Sequence, residues 1–343
     1  MDGATTIKCL VWDLDETLWR GTLLEDEGVV LRPRAAETIR TLDRRGILQS
    51  IASRNDHADA MRKLREFGLD EYFLHPQINW SAKSVSIRAI AESLNIGLEA
   101  IAFVDDQPFE RDEVAFSLPQ VTCIAAEDLP SLLEMPCMNP PFITEDSRRR
   151  RLMYLNEVAR SRAEECYDGP QESFLASLDM VLSIFPAREE DLRRAEELTV
   201  RTHQMNATGI TYSYDELNAL RRSDRHVLLM ARLEDRYGTY GHVGLALIEQ
   251  GPTVWTIRLL LTSCRVMSRG VGGILLGHVL RVAKERGVRL RAHFVPNERN
   301  RIMYVTYRFA GFGEVGRDGC TKILEHDLSE VPQCPDYVKL VLR

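Results

Sequence analysis

Two carboxylates two residues apart, Asp13 and Asp15, end the apolar run Ile7 to Trp12 and pose the chemical question of this chain. A short run of strand formers that stops at acidic residues reads as a buried parallel strand carrying charge into a crevice at its carboxyl end. Residues i and i+2 share one face of a strand, so the pair starts out pointing the same way. Carboxylates about 4 Å apart repel by roughly 4 kcal/mol at an effective dielectric of about 20, so the pair needs a cation, a shared proton or a turn that parts it. Three more polar positions occur at comparable places: Ser53, Lys83 and the acidic pair Asp105-Asp106. Singly, a helix-entry serine, a solvated lysine and an acidic turn explain them. Four in this order, each at or just past a predicted strand end, describe a site.

The elements that position them alternate. A helix over Arg34 to Arg45 is closed by Gly46, and Ile47 to Ala52 is a strand. Asp56 caps a helix running to Gly68. Phe73 to Asn79 is extended, a helix starts near Lys83 and runs to Leu94, and Ala100 to Val104 is a strand. A further helix and the strand Val121 to Ile124 complete the series, with Arg20 to Leu31 as a loop after the first strand. Such β/α alternation implies a parallel sheet covered on both faces, with ligands beyond the carboxyl ends of its strands.

Length and composition set the bounds. The 343 residues suffice for two domains, and 44% hydrophobic with 28% charged residues is ordinary for a globular protein. A net charge of −7 argues against a nucleic-acid partner, which calls for a basic face. No apolar run reaches membrane-spanning length and the N-terminus shows no signal-peptide pattern, so a cytoplasmic protein without a membrane partner is expected. The seven cysteines are scattered without CxxC spacing, which excludes a zinc ribbon and leaves most of them as small buried hydrophobes.

The first half resembles the haloacid-dehalogenase (HAD) superfamily of phosphotransferases. Asp13-Leu14-Asp15-Glu16-Thr17 matches its DxDx[TV] motif, Ser53 its second, Lys83 its third and Asp105-Asp106 its acidic fourth. The resemblance implies that Asp13 attacks phosphorus and that Asp15 protonates the leaving oxygen and then activates water. Ser53 and Lys83, with Thr17 and Arg54 beside the motifs, are expected at the phosphoryl group. Magnesium suits an all-oxygen site, with Asp13, the Asp15 carbonyl and the second acidic pair as ligands, Asp105 directly and Asp106 behind it. The spacing between motifs leaves no room for a separate cap domain.

Prolines from Pro136 to Pro141 mark a boundary, and a charged helix follows to about Cys166. Domains are therefore expected at 1–140 and 171–343, with 141–170 as a connecting helix. In the second half, strands are expected at Asp179 to Ile184, His226 to Leu233, Gly241 to Glu249 and Val254 to Thr262, and helices at Glu189 to Arg201 and from the glycine loop to Arg286. The glycines after the last strand, Gly270 and Gly272 among them, expose backbone N–H groups to a phosphate or pyrophosphate.

This order is similar to the GNAT acyltransferase fold, and Asn300, Tyr307 and Gly311-Phe312 fit its C-terminal spacing. The expected fold class is α/β: a capless HAD Rossmann-like parallel-sheet domain followed by a GNAT-like α+β domain. Met267, where GNAT loops carry Arg or Gln, departs from ordinary acetyl-CoA binding.

Over nearly the whole chain, KCLVWDLDETLW, FVDDQPFERDE, RTHQMNAT, DRYGTYGHVG, TSCRV and NERNRIMYVTYRFAGF resemble the FkbH-like glyceryltransferase/phosphatases of polyketide pathways. Glu16, where relatives carry Asn, and RGTLLEDEG, in place of a Gly-rich loop, depart from that pattern. The resemblance implies an enzyme that takes 1,3-bisphosphoglycerate, removes its phosphates and loads a glyceryl unit onto the phosphopantetheine thiol of an acyl carrier protein, toward a methoxymalonyl-type extender or similar unit.

The thiol that first receives the acyl group is Cys264, with Arg265 beside it to lower its pKa or grip phosphate, or Cys9, or none on the enzyme. Cys9 lies about 13 Å along the strand from Asp13, within its buried part. His242 is a candidate base for the carrier thiol, Tyr307 a candidate acid, and His203, Gln204 and Asn206 lie in the RTHQMNAT stretch, Gln204 and Asn206 as candidates for the glyceryl hydroxyls. Three alternatives remain: a phosphomonoesterase whose second domain binds a partner, a non-catalytic carrier-docking module, and an N-acetyltransferase using acetyl-CoA.

Overall fold

Every residue of the first strand, β1 (Cys9–Trp12), is buried, as a strand covered on both faces requires. In the computed structural model, which describes residues 7–26, 28–202 and 204–343, side chains alternate strictly along it. Leu10 and Trp12 join one core cluster, Cys9 and Val11 the other. The chain divides into two compact units, Met1–Val158 and Ala159–Arg343, so the expected connecting segment 141–170 is shared between them.

In the first unit, β1 is followed by a small antiparallel hairpin, β2 (Trp19–Arg20) and β3 (Val30–Leu31), inside the stretch expected as plain loop. Then come α1 (Ala35–Arg44), β4 (Leu48–Ser53), α2 (His57–Glu66), β5 (Gln77–Ile78), α3 (Lys83–Leu94), β6 (Ile101–Asp105), α4 (Pro108–Ser117) and β7 (Thr122–Ala125). Two helices, α5 (Glu145–Arg148) and α6 (Arg150–Glu165), follow. The sheet order is β5-β4-β1-β6-β7, all parallel.

Residues of α1 and α2 pack on one face and those of α3 and α4 on the other. The third extended piece shrinks from the expected Phe73 to Asn79 to Gln77–Ile78. His75 has φ 48 and Pro76 has no N–H to give, so neither continues a strand. Asp56 caps α2 as expected, accepting from Asp59 N at 3.0 Å.

The second unit contains α7 (Gln171–Ser177), β8 (Met180–Pro186), α8 (Leu192–Arg201), α9 (Tyr214–Arg221), β9 (His226–Asp235), β10 (Gly238–Gln250), β11 (Val254–Thr262), α10 (Val271–Glu285), β12 (Arg289–Phe294), α11 (Arg301–Phe309), β13 (Gly313–Asp318), β14 (Thr321–His326) and β15 (Val338–Leu342). Its eight strands run β13-β14-β12-β11-β10-β9-β8-β15. The pairings are antiparallel except β11 with β12 and β8 with β15. One face packs against α10 and α11, the other against α8 and α9.

The α/β class expected from the sequence is the fold observed: a parallel-sheet unit, then an α+β unit. Among the described residues, no helix is long and apolar enough to cross a membrane.

The central strands of the second unit part company. Only Val254 to Ile257 of β11 pair with β12; the next residue, Arg258, bulges out of the pairing with β10. Beyond the bulge, Met205 to Ala207 enters as an extra rung. Thr262 N donates to Met205 O, Ala207 N to Leu260 O and Val295 N to Ala207 O, each at 3.0 Å.

Candidate active site

The carboxyl end of β1 holds the acidic residues where the parallel ladder hands them over, with Asp13 N donating to Val104 O at 2.9 Å. Asp13 is 7% exposed, Lys83 3% and Asp105 1%. Lys83, the first residue of α3, reaches across β4. Its Nζ donates to Asp13 Oδ1 and, at 2.9 Å, to Ala52 O, and lies 3.1 Å from Asp105 Oδ2. Asp13, Asp105 and Asp106 each present one oxygen within 4.8 Å of the others. Asp105 Oδ1 accepts from Gln107 N, while Oδ2 is buried without a hydrogen bond. One ammonium thus faces three carboxylates and leaves the cluster two positive charges short. A divalent cation with a preference for oxygen fits that deficit and donor set. Asp105, expected as the direct ligand, and Asp106, expected behind it, each offer an oxygen to the same cluster.

Asp15 turns away from that cluster. Its Oδ1 accepts from Trp19 Nε1 at 2.7 Å and Leu23 N at 3.0 Å, its Oδ2 from Asn55 Nδ2 at 2.9 Å. The turn that follows Asp15 runs through Glu16, whose φ of 48 is the left-handed region that Asn tolerates better than Glu. Burial pushes the Asp15 carboxyl above its ordinary range, against the hydrogen bonds of Trp19 and Leu23. Asp106 is raised likewise, by burial and then by the charge of Asp13. For Lys83, burial works against its charge, but Asp13 and Asp105 outweigh it and its pKa is raised.

Burial, then the Asp13 charge, pushes Asp105 up to about 6. A carboxylate whose folded pKa lies above its unfolded value of about 3.9 supports folding most when protonated, and that support is lost as pH rises through the folded value. A bound cation replaces the proton. The gain in Tm from magnesium over a chelator is therefore expected to grow as pH rises from about 5 to about 7. Thermal unfolding across that range checks it; a gain that is flat or shrinks with pH contradicts it.

Other residues expected at the phosphoryl group are placed differently. Thr17 is fully buried, and its hydroxyl donates to Asp106 Oδ1 at 3.2 Å while accepting from Asp106 N at 3.0 Å. Both hydrogen bonds tie its hydroxyl to Asp106. Arg54 pairs with the buried Glu110 at 2.9 Å, although its side chain is 41% exposed. Ser53 closes β4 and is 3% exposed. Asn55, Trp19 and Glu110 were not singled out by the sequence. The signal for Asn55 is its place in the Ser53-Arg54-Asn55-Asp56 strand end.

In the second unit, Gly270 stands before α10 with φ 73, and Gly272 lies in the first turn of a helix that no side chain caps. A Cβ at Gly270 would lie 3.2 Å from Tyr337 Oη. Cys264 begins a short 3-10 stretch, Cys264–Arg269, and packs against the core that contains α10. Arg265 Nη2 donates to Tyr240 O at 3.2 Å, and Met267 is 39% exposed.

His242 lies on the α8 face, 3.6 Å from Asp191 Oδ1 and edge-on to Phe185. Cys264 packs with the core that contains α10, and its neighbour Ser263 donates through its backbone N to Val243 O at 2.7 Å, next to the candidate base His242. Tyr307 is fully buried against Phe312, its hydroxyl without a hydrogen-bond partner and its pKa far raised by burial.

Asn206, expected at the glyceryl hydroxyls, is fully buried. Its Oδ1 accepts from Thr208 N and Gly209 N and its Nδ2 donates to Ile210 O, so it shapes its own loop. Asn300 holds the same segment, donating to Asn206 O, Ala207 O and Val295 O. Cys9 is fully buried and its thiol pKa is pushed far up by burial, the opposite of what a nucleophile needs. His203 lies outside the described residues.

No protein-family model matches this chain, and no curated protein matches it. Among solved structures, it is similar to the N-terminal part of the protein BF1531 from Bacteroides fragilis, which contains a phosphatase domain and was complexed with Mg. The identity is 28% over 44% of this chain and 39% of that one, with a TM-score of 0.32. This chain thus covers well under half of that structure's length. The ribosomal-protein-S18-alanine N-acetyltransferase from Escherichia coli is similar at 16% identity over 44% of this chain and 97% of that one, TM-score 0.35. PaiA N-acetyltransferase from Thermoplasma acidophilum, in complex with coenzyme A, is similar at 17% identity over 42% of this chain and 98% of that one, TM-score 0.32.

Proposed function

We propose that the first unit is a magnesium-dependent phosphatase and the second an acyltransferase, and that together they convert 1,3-bisphosphoglycerate into a glyceryl thioester on the phosphopantetheine arm of an acyl carrier protein. The observation that carries the reading is the buried group of Asp13, Lys83, Asp105 and Asp106 at the carboxyl ends of parallel strands, with Asp15 held apart from it. Magnesium held by Asp13, Asp105 and Asp106 would offset charge on the phosphoryl oxygens.

In the phosphatase step, an Asp13 oxygen attacks phosphorus and the bond to the ester oxygen breaks. Asp15 gives a proton to the departing alkoxide. Asp15 then takes a proton from water as the water attacks the aspartyl phosphate, releasing inorganic phosphate and restoring Asp13. Lys83 holds Asp13 in place and offsets its charge. Ser53, at the end of β4, is the remaining candidate to hold a phosphoryl oxygen.

In the acyl step, a thiolate attacks C1 of the acyl phosphate, the bond to the phosphate oxygen breaks and inorganic phosphate leaves. Cys264, which starts the segment leading to the glycine-bounded start of α10, is the candidate enzyme thiol, and the backbone N–H groups at that helix start would face the phosphate. Cys264→Ala is expected to abolish any covalent acyl-enzyme. Intact-protein mass spectrometry after brief exposure to 1,3-bisphosphoglycerate tests this, and an adduct that persists on the variant moves the assignment to another thiol or to none.

A further inference from the structure

A cavity of about 290 Å³ lies on the α1 side of the first unit's sheet, against Trp12 and the start of α1. Lys83 and its helix pack on the other face of that sheet, so the cavity is separate from the Asp13 cluster. Two arginines from the β2–β3 hairpin line it. The Nε of Arg32 is buried with no hydrogen-bond partner among the described residues, while its Nη2 donates to Glu16 O and lies 4.0 Å from Glu16 Oε2. Arg20 is exposed and, among the described residues, its guanidinium has no ion pair or hydrogen bond. Thr38, 7% exposed, also lines the cavity, and no described residue takes its hydroxyl.

A buried guanidinium N–H without an acceptor costs stability unless something supplies one. Here the missing partner is an acceptor, and the free donors around it, Arg20 and Thr38, ask for the same kind of atom. Glu127 and Glu134 line the cavity too; they are exposed like Arg20, so water screens all three, whereas the Arg32 Nε is not screened in this way. Arg34 also lines the cavity but is already paired with Glu37 at 3.1 Å, and the remaining wall, Trp12, Leu129 and Pro130 among it, is apolar.

We propose that this cavity binds a small organic anion, its carboxylate or phosphate group between Arg20, Arg32 and Thr38 and its apolar body against Trp12, Leu129 and Pro130. The hairpin that supplies both arginines also supplies Trp19, whose indole holds Asp15, so the site lies next to the acid–base residue without entering its pocket. The proposal stands on the cavity alone and does not depend on the reaction assigned above.

Calorimetric titration of the full chain with sodium benzoate and, separately, with inorganic phosphate tests it. Saturable binding of one probe per chain is expected, weakened about tenfold or more in Arg20→Met and in Arg32→Met, as loss of a charge-assisted hydrogen bond requires. A response to benzoate assigns a carboxylate ligand and a response to phosphate a phosphorylated one. Binding that is unchanged in Arg20→Met, an exposed position that leaves the fold intact even if Arg32→Met does not fold, overturns the proposal. So does the lack of saturable binding of either probe at millimolar concentration.

Discussion

Asp13→Asn is expected to lower phosphate-ester hydrolysis by on the order of 10³-fold or more, because under the proposed mechanism it takes away the attacking carboxylate and weakens the group of three carboxylates that would hold the cation. The amide keeps the volume and can still contact Lys83, so the fold of the parallel sheet should survive. Acyl transfer, assigned to the second unit, should continue, and a carrier protein treated with the variant should keep the phosphate on its new acyl group. Phosphate release from a small ester, measured beside circular dichroism, checks the first part. Hydrolysis within a few-fold of wild type would remove Asp13 from the nucleophile's role.

Lys83→Met should cost the most stability of any single change in the first unit. The lysine is 3% exposed, and its stem packs beside Phe103, which methionine preserves. What is lost is the ammonium that faces Asp13 and Asp105. Breaking a buried pair by removing one partner costs about 3–5 kcal/mol, because the other charge stays buried and uncompensated. The remaining carboxylates should answer by holding protons more tightly, so the loss should be largest at neutral pH and smaller in mild acid. Magnesium should recover part of it by supplying the missing positive charge. Urea unfolding of the variant with and without magnesium measures both effects; unfolding indistinguishable from wild type in chelator contradicts them.

The residues that carry this chemistry were legible because each sits where a predicted strand ends, and strand ends are written locally. Asp13, Ser53, Lys83 and Asp105 lie at or just past strands whose apolar runs are visible in the sequence. Their helpers were not legible, because their partners are brought close by folding alone. Asn55 meets Asp15 from 40 positions away, and Thr17 meets Asp106 from 89. The Thr17 hydroxyl, expected at the phosphoryl group, is hydrogen-bonded to Asp106.

The second unit was read less completely. β13 is largely exposed along its length and lacks the apolar alternation that marks a strand, while β15 pairs with β8 from the far end of the chain. α9 was not read from the sequence, although Ser213 and Glu216 form a capping box at its start. Asn206 shows the limit of motif matching. It lies in a stretch that resembles a family signature, yet its amide is fully engaged within its own loop.

The most direct measurement is the intact mass of a phosphopantetheinylated acyl carrier protein after incubation with the full chain, 1,3-bisphosphoglycerate and magnesium. The expected result is a carrier heavier by one glyceryl group and no phosphate, and, with Asp13→Asn, by one phosphoglyceryl group. Release of inorganic phosphate with no change in the mass of the carrier would contradict the proposed transfer.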